Sequence, residues 1–286
     1  MRVRSGGLGL SRGSLIPHGD HRFSSTSHPT PDARGVHLAR HRRSHRSRTR
    51  DAAAGAAVIG ILLTALGTDA AARPIGPFDV GGAIEVEYDQ AGGPAFFGDP
   101  VSAESPAARG GRYQAFERGS SIYWRPDTGA HQVGGAIRDK WGDLGFEGGL
   151  LGYPVTREAA TPSKPGRYSV FQNGSIYWSI GTAAHQIGGT IRNKWASYGW
   201  ENSPLGFPIT DESPARGSFG RYNLFGGGAI YWSPLTDAHV IWGAIRESWE
   251  AAGGEAGRYG YPTSDEYDFQ NGKAQDFQGG RITWRP

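Results

Sequence analysis

Leu151-Gly152-Tyr153-Pro154 and, one period on, Leu205-Gly206-Phe207-Pro208 are the stretches whose reading decides the fold. Weaker copies flank them as Phe97-Gly98-Asp99-Pro100 and Tyr259-Gly260-Tyr261-Pro262, so the four prolines stand 54 residues apart. A fixed period of that size marks a repeat architecture. Other landmarks keep step: a Gly-x-Ile start (Gly82, Gly135, Gly189, Gly243), an aromatic four after the Ile (Tyr88, Trp141, Trp195, Trp249) and a Glu four after the proline (Glu104, Glu158, Glu212, Glu266). Each repeat closes on Gly-Arg-Tyr-x-x-Phe and Ile-Tyr-Trp, with departures in the last copy.

Working outward from the tetrad, Gly134–Trp141 and Gly188–Trp195 space Ile and Trp four apart, which places both on one face of a short helix. Gly145 and Gly199 end that helix, and the tetrad follows as a turn. Arg167–Phe171, the Asn173-Gly174 turn and Ser175–Trp178 read as a hairpin. A third short strand is expected over Ala184–Ile187. One helix and two or three strands cannot bury a face alone, so neighbouring units must supply the core.

These four concordant copies resemble the LGFP-repeat proteins of actinobacterial cell envelopes, over roughly residues 74–286. The resemblance implies an extracellular module that holds proteins on cell-wall polysaccharide, often beside a catalytic domain. No residues are left over for such a domain.

Charge is segregated along the chain. Residues 1–72 carry eleven Arg and no Lys against four Asp, net +7, which leaves −4 of the overall +3 for residues 73–286. A mildly acidic repeat region argues against nucleic acid as a partner. Cysteine is absent, so stability must come from the core, to which nine Trp contribute. Residues 1–51 read as a basic, disordered leader, with translation starting near Val36. Residues 52–72 read as the apolar segment and cleavage site of a signal peptide, short against the roughly 20 residues of a membrane span. No stable membrane span is expected after cleavage, and the mature chain is expected outside the cell, on the wall.

The repeats divide as about 82–134, 135–188, 189–242 and 243–286. Phe78-Asp79-Val80-Gly81-Gly82 matches the register of His131-Gln132-Val133-Gly134-Gly135, so residues 73–81 are expected to complete the last repeat. The fold class is then mainly β with short helices, four repeats closed into a β-propeller-like ring with pseudo-fourfold symmetry. An open solenoid is the alternative.

Candidate functional residues follow from the same period. The Trp of Ile-Tyr-Trp (Trp124, Trp178, Trp232, Trp284) are expected in the core. Alternation turns Tyr123, Tyr177 and Tyr231 to the other face, either as an outward platform for stacking sugars or as an inter-module packing row. Glu104, Glu158, Glu212 and Glu266 recur with Arg112, Arg167, Arg221 and Lys273, as internal ion pairs rather than acid–base groups. His131, His185 and His239 could converge on a ring axis as a metal site, or make hydrogen bonds at strand ends. Trp200 and Trp242 break the period, and their exposure would point to a protein interface. No cofactor motif and no nucleophile with its base appear, so enzymatic activity is not expected. The leading expectation is a non-catalytic domain that binds envelope polysaccharide such as arabinogalactan at several weak equivalent sites. A scaffold for a secreted protein partner, or an adhesive subunit, is the alternative, and a wall hydrolase or esterase the second.

Overall fold

The computed structural model describes residues 71–286 apart from Ser218, so the leader expectations for residues 1–70 lie outside the described residues. A hairpin of β1 (Arg73–Ile75) and β2 (Phe78–Val80) leads into helix α1 (Gly82–Gln90) and the short α2 (Gly93–Phe97). The first sheet is a meander of β3 (Ser105–Pro106), β4 (Arg112–Ala115), β5 (Ser120–Arg125) and β6 (Gly129–Gly134). Helix α3 (Gly135–Asp143) precedes the second, β7 (Ala159–Ala160), β8 (Arg167–Phe171), β9 (Gly174–Ser179) and β10 (Ala183–Ile187). Helix α4 (Gly189–Ser197) precedes the third, β11 (Ser213–Pro214), β12 (Arg221–Phe225), β13 (Gly228–Ser233) and β14 (Asp237–Ile241). Helix α5 (Gly243–Ala251) precedes a fourth of three strands only, β15 (Tyr267–Phe269), β16 (Gly272–Phe277) and β17 (Gly280–Trp284).

The chain is thus mainly β, with four repeat units built on antiparallel sheets. The two-residue strands that open the first and third sheets escape sequence reading because Pro106 and Pro214 look like breaks. A proline is tolerated in such a strand because it lies at a sheet edge.

The helix Trp explains the tetrad. Trp141, Trp195 and Trp249 are fully buried, and each donates its indole N–H to the tetrad glycine eleven residues on, Gly152 O at 3.2 Å, Gly206 O at 3.2 Å and Gly260 O at 2.8 Å. In the first repeat the Tyr88 hydroxyl does the same to Gly98 O at 3.1 Å. The carbonyl faces the indole only because the glycines adopt φ between +65° and +70°, a region costing other residues about 1–2 kcal/mol. Around this bond Leu151, Tyr153, Phe171 and Ile176 close on Ile137, and Pro154 bridges to Phe171.

Each helix is also the mortar between two sheets. Val133 and Tyr123 of the first sheet join the core that α3 forms with the second, and Tyr177 and Ile187 join the next in the same way. A second tie, through a buried amide, crosses three of the boundaries; in the second sheet Ser169 stands at that position. Gln114, Asn223 and Gln275 donate to the carbonyls of Asp79, Gln186 and Val240, on the last strand of the preceding unit, at 3.0, 3.1 and 2.8 Å.

The expected strand exchange is not made. Among the described residues β2 pairs with β1, which stands where β5 or β9 stands in the full sheets, and β17 pairs with β16 alone. Among the described residues no strand pairing closes a ring. The Gly76-Pro77 turn, with Gly76 at φ +56°, lets the segment fold back on itself, at far less loop-closure cost than reaching the other end of the chain.

Replacing Trp195 by Phe should remove the donor to Gly206 O while keeping most of the apolar volume. Chemical denaturation is expected to show a loss of about 1–3 kcal/mol, the cost of a buried carbonyl left unpaired. No measurable loss would contradict a structural role for the indole N–H.

Candidate ligand pocket at the third module junction

The Tyr row is the packing row of the two readings the sequence left open, and the Trp row lies less deep than expected. Tyr123, Tyr177 and Tyr231 are buried, whereas Trp124, Trp178 and Trp232 are half-buried and Trp284 is exposed. Strand alternation does put the Tyr on the face opposite Ile122, but the next helix covers that face. Tyr123, Tyr177 and Tyr231 meet Trp141, Trp195 and Trp249 edge to face at 4.6, 4.6 and 4.7 Å, and stack on Tyr113, Tyr168 and Tyr222. Burial pushes all three hydroxyls well above the ordinary tyrosine range. They pack modules together and cannot form an outward sugar platform.

The Glu–Arg landmark forms ion pairs in three repeats: Glu104 with Arg112, Glu158 with Arg167 and Glu212 with Arg221. Glu158 and Glu212 also accept the N–H of Gly134 and Gly188, on the preceding unit, at 3.2 and 3.1 Å. The fourth repeat departs from the expectation, because Lys273 pairs with Asp268 rather than Glu266. Asp268 lies directly across the β15–β16 pair from Lys273, a shorter reach for a flexible ammonium.

The histidines do not meet. His131, His185 and His239 each hold the Thr carbonyl three residues upstream through Nε2, at 2.8, 2.7 and 2.8 Å, each in its own hairpin. Among the described residues no three His, Cys, Asp or Glu come together as metal ligands, and of the two readings these histidines make the hydrogen bonds at strand ends.

Residue types missed in the sequence clamp the junctions. At the first, Glu87 of α1 meets Arg157 at 2.6 Å and accepts the N–H of Gln132 at 3.0 Å. At the next two the charges are exchanged: Lys140 meets Asp211 at 2.9 Å and Lys194 meets Asp265 at 2.8 Å, while the aspartates accept the N–H of Gln186 and Val240. Burial alone would raise these two carboxyls. Hydrogen bonds from the neighbouring His, Lys and strand N–H outweigh it and hold both well below the usual range.

A cavity opens where the junctions differ. The residue after Gly145 and Gly199 keeps positive φ although it is aromatic: Phe146 at +49° and Trp200 at +59°. Phe146 packs edge-on against Trp141 at 5.4 Å. Trp200 does the same against Trp195 at 5.3 Å and stacks on Tyr177 at 6.2 Å, so it is built into the junction rather than displayed. Trp242, the other residue out of period, is half-buried edge-on to Tyr198. At the third junction the equivalent position is Gly254, and a cavity of about 290 Å³ lies there, lined by Tyr222, Tyr231, Arg246, Glu250 and Arg216. Tyrosine faces below and charged groups at the rim suit a ligand that is flat on one side and hydrogen-bonding at its edge.

Two outcomes follow from the clamps. Lys194→Glu should cost about 1–3 kcal/mol in thermal unfolding, and adding Asp265→Arg should recover most of it, because the pair then copies Glu87–Arg157. If the double variant is no more stable than the single, the exchange of charges is not a functional equivalence. With folded values below the unfolded carboxylate value of about 3.9, Asp211 and Asp265 add stability above that pH and lose it as pH falls further. An Asp211→Asn, Asp265→Asn chain should therefore show a shallower fall in melting temperature below about pH 4; an unchanged slope would contradict this assignment.

Comparison with known proteins agrees with the repeat geometry. The model of the LGFP repeat matches residues 97–149, 151–203, 205–257 and 260–286, so its unit begins at or near the tetrad rather than at the helix. No curated protein matches the chain. With more than half of its residues matched by that model, the chain belongs to the LGFP-repeat family.

Proposed function

We propose that the protein is an exported, non-catalytic domain that attaches to envelope polysaccharide, arabinogalactan being the first candidate. The observation that carries this reading is the cavity beside Gly254, where tyrosine faces and an Arg–Glu pair lie together at a junction of repeats typical of cell-surface proteins. Aromatic faces pack against the C–H face of a sugar, and planar charged groups bond its hydroxyls. No described helix is long and apolar enough to cross a membrane, and the polysaccharide itself is the proposed means of attachment.

A second reading, docking of a secreted protein, has one observation in its favour. Phe219 and Leu235 are 92% and 86% exposed beside Pro234 and Tyr261, around a cavity of about 460 Å³. The second repeat has Pro165 and Gly181 at the positions of Phe219 and Leu235, so this patch is particular to the third repeat.

Sedimentation with purified actinobacterial walls separates the two. The protein should be retained on intact walls and released when arabinogalactan is stripped, and Phe219→Ser with Leu235→Ser should leave retention unchanged. Absence of retention on any wall would sink the polysaccharide reading, and a retention lost in the Phe219, Leu235 variant would favour the protein-docking patch.

A further inference from the structure

The chain contains its own controls for the Gly254 cavity, because the same site occurs three times. At the second junction it is occupied from within. Trp200 stacks on Tyr177 at 6.2 Å with an interplanar angle of 22°, and the guanidinium of Arg192 lies 5.0 Å over its ring. At the first, Phe146 takes the position and Arg138 stands 5.7 Å over it. Both sites thus hold a flat ring under an arginine, the second of them on a tyrosine as well, and at the third junction Gly254 supplies no ring. The first helix also has a glycine there, Gly93, but the strand pair behind it, β1 and β2, carries no tyrosine.

Loss of the aromatic is accompanied by changes around the slot. Arg138 and Arg192 donate Nε–H to Ser121 and Ser175 at 2.9 and 2.7 Å, but the equivalent of those serines is Ala229, and Arg246 instead donates to Glu250 at 2.8 Å. Glu250 replaces Gly142 and Ala196. A small residue is needed at the first site, since a Cβ on Gly142 would lie 2.7 Å from the Phe146 ring. Arg216 replaces Ala108 and Pro162 at the rim, and its backbone N–H is held by Glu255 at 2.7 Å. Four positions, 216, 229, 250 and 254, thus depart together at one place. A deletion of the ring alone would leave its partners behind; instead the serine becomes Ala229, and the residues at the two other positions become the carboxylate of Glu250 and the guanidinium of Arg216.

That chemistry distinguishes occupants. An aromatic side chain from another protein would fit best against the small, apolar surround seen at the first two sites. Glu250 instead adds acceptors, and Arg246 has five N–H donors of which the Nε–H is used on Glu250. Vicinal hydroxyls present alternating donors and acceptors to such a pair, while the ring's C–H face lies on Tyr231. At about 290 Å³ the cavity lies at the lower edge of the roughly 300–1,000 Å³ usual for ligand sites, room for one ring.

We infer that the slot between Tyr231 and Arg246 binds a single neutral sugar residue of the polysaccharide, taking the place that Trp200 takes one repeat earlier. This rests on the polysaccharide reading and narrows it to one site per chain rather than several equivalent ones.

The test uses the whole chain, with soluble arabinogalactan, methyl arabinofuranoside and methyl galactofuranoside as probes in calorimetric titration. One site per chain is expected. Gly254→Trp with Glu250→Ala copies the second junction, where a tryptophan at φ +59° folds beside Ala196, so it should melt no lower than the parent and lose at least tenfold in affinity. Glu250→Ala alone should lose about three- to tenfold. Unchanged binding in the filled variant, or several sites per chain, would overturn the inference, as would competition by N-acetyltryptophanamide without any response to the sugars. On intact walls, retention by both the parent and the filled variant would leave the polysaccharide reading standing and remove the slot from it. Failure of both to be retained would overturn the two together.

Discussion

A hydrogen bond from a buried indole to a glycine carbonyl is the constraint on which the rest of this structure depends. Each module is too small to hold a helix against a hairpin by area alone, and the bond from Trp195 to Gly206 sets where the helix stops and the sheet begins. The glycine must have positive φ for its carbonyl to face inward, and in the second and third repeats the Leu and the aromatic on either side are buried. The tetrad is in effect a lid on the indole. Its fixed spacing from the Trp follows from the length of one nine-residue helix and its terminating glycine.

The repeat, the helix and the central hairpin were legible because each rests on local chemistry: Ile and Trp four apart, Asn173-Gly174 between alternating runs, and glycine at the ends. What was not legible was which face of each strand meets water. Alternation separates Tyr177 from Trp178, but it cannot say that the next helix covers the Tyr face and leaves the Trp at the margin. The short strands carrying Pro106 and Pro214 were hidden by the rule that proline breaks strands, which holds only away from edges. Matching segments at the two ends suggested a closed ring, since equality of register does not reveal whether a nearer partner exists. β1 is that partner.

The pocket could have been found in the sequence, although no single residue announces it. The signal lies in the column of equivalents Phe146, Trp200, Gly254, read beside Gly142, Ala196, Glu250 and Ser121, Ser175, Ala229. Only the stacking of Trp200 on Tyr177 shows that these columns surround one volume. The tyrosine row, which the sequence left as either an outward platform or a packing row, packs the modules together and at one junction out of three also lines the pocket.

The exchanged charges at the junctions bear on how the chain assembles. Tandem units of similar sequence are prone to join with the wrong neighbour while folding, because every helix fits every sheet nearly as well. In this chain α1 carries Glu87 where α3 and α4 carry Lys140 and Lys194. Were α1 to seat on the third or fourth unit, its carboxylate would confront Asp211 or Asp265, and α3 or α4 seated on the second would set a lysine against Arg157. The native order brings opposite signs together at all three seams, so the inversion is a code that tells α1 apart from α3 and α4, though not those two from each other, and opposes the mispairings of α1 before the cores close.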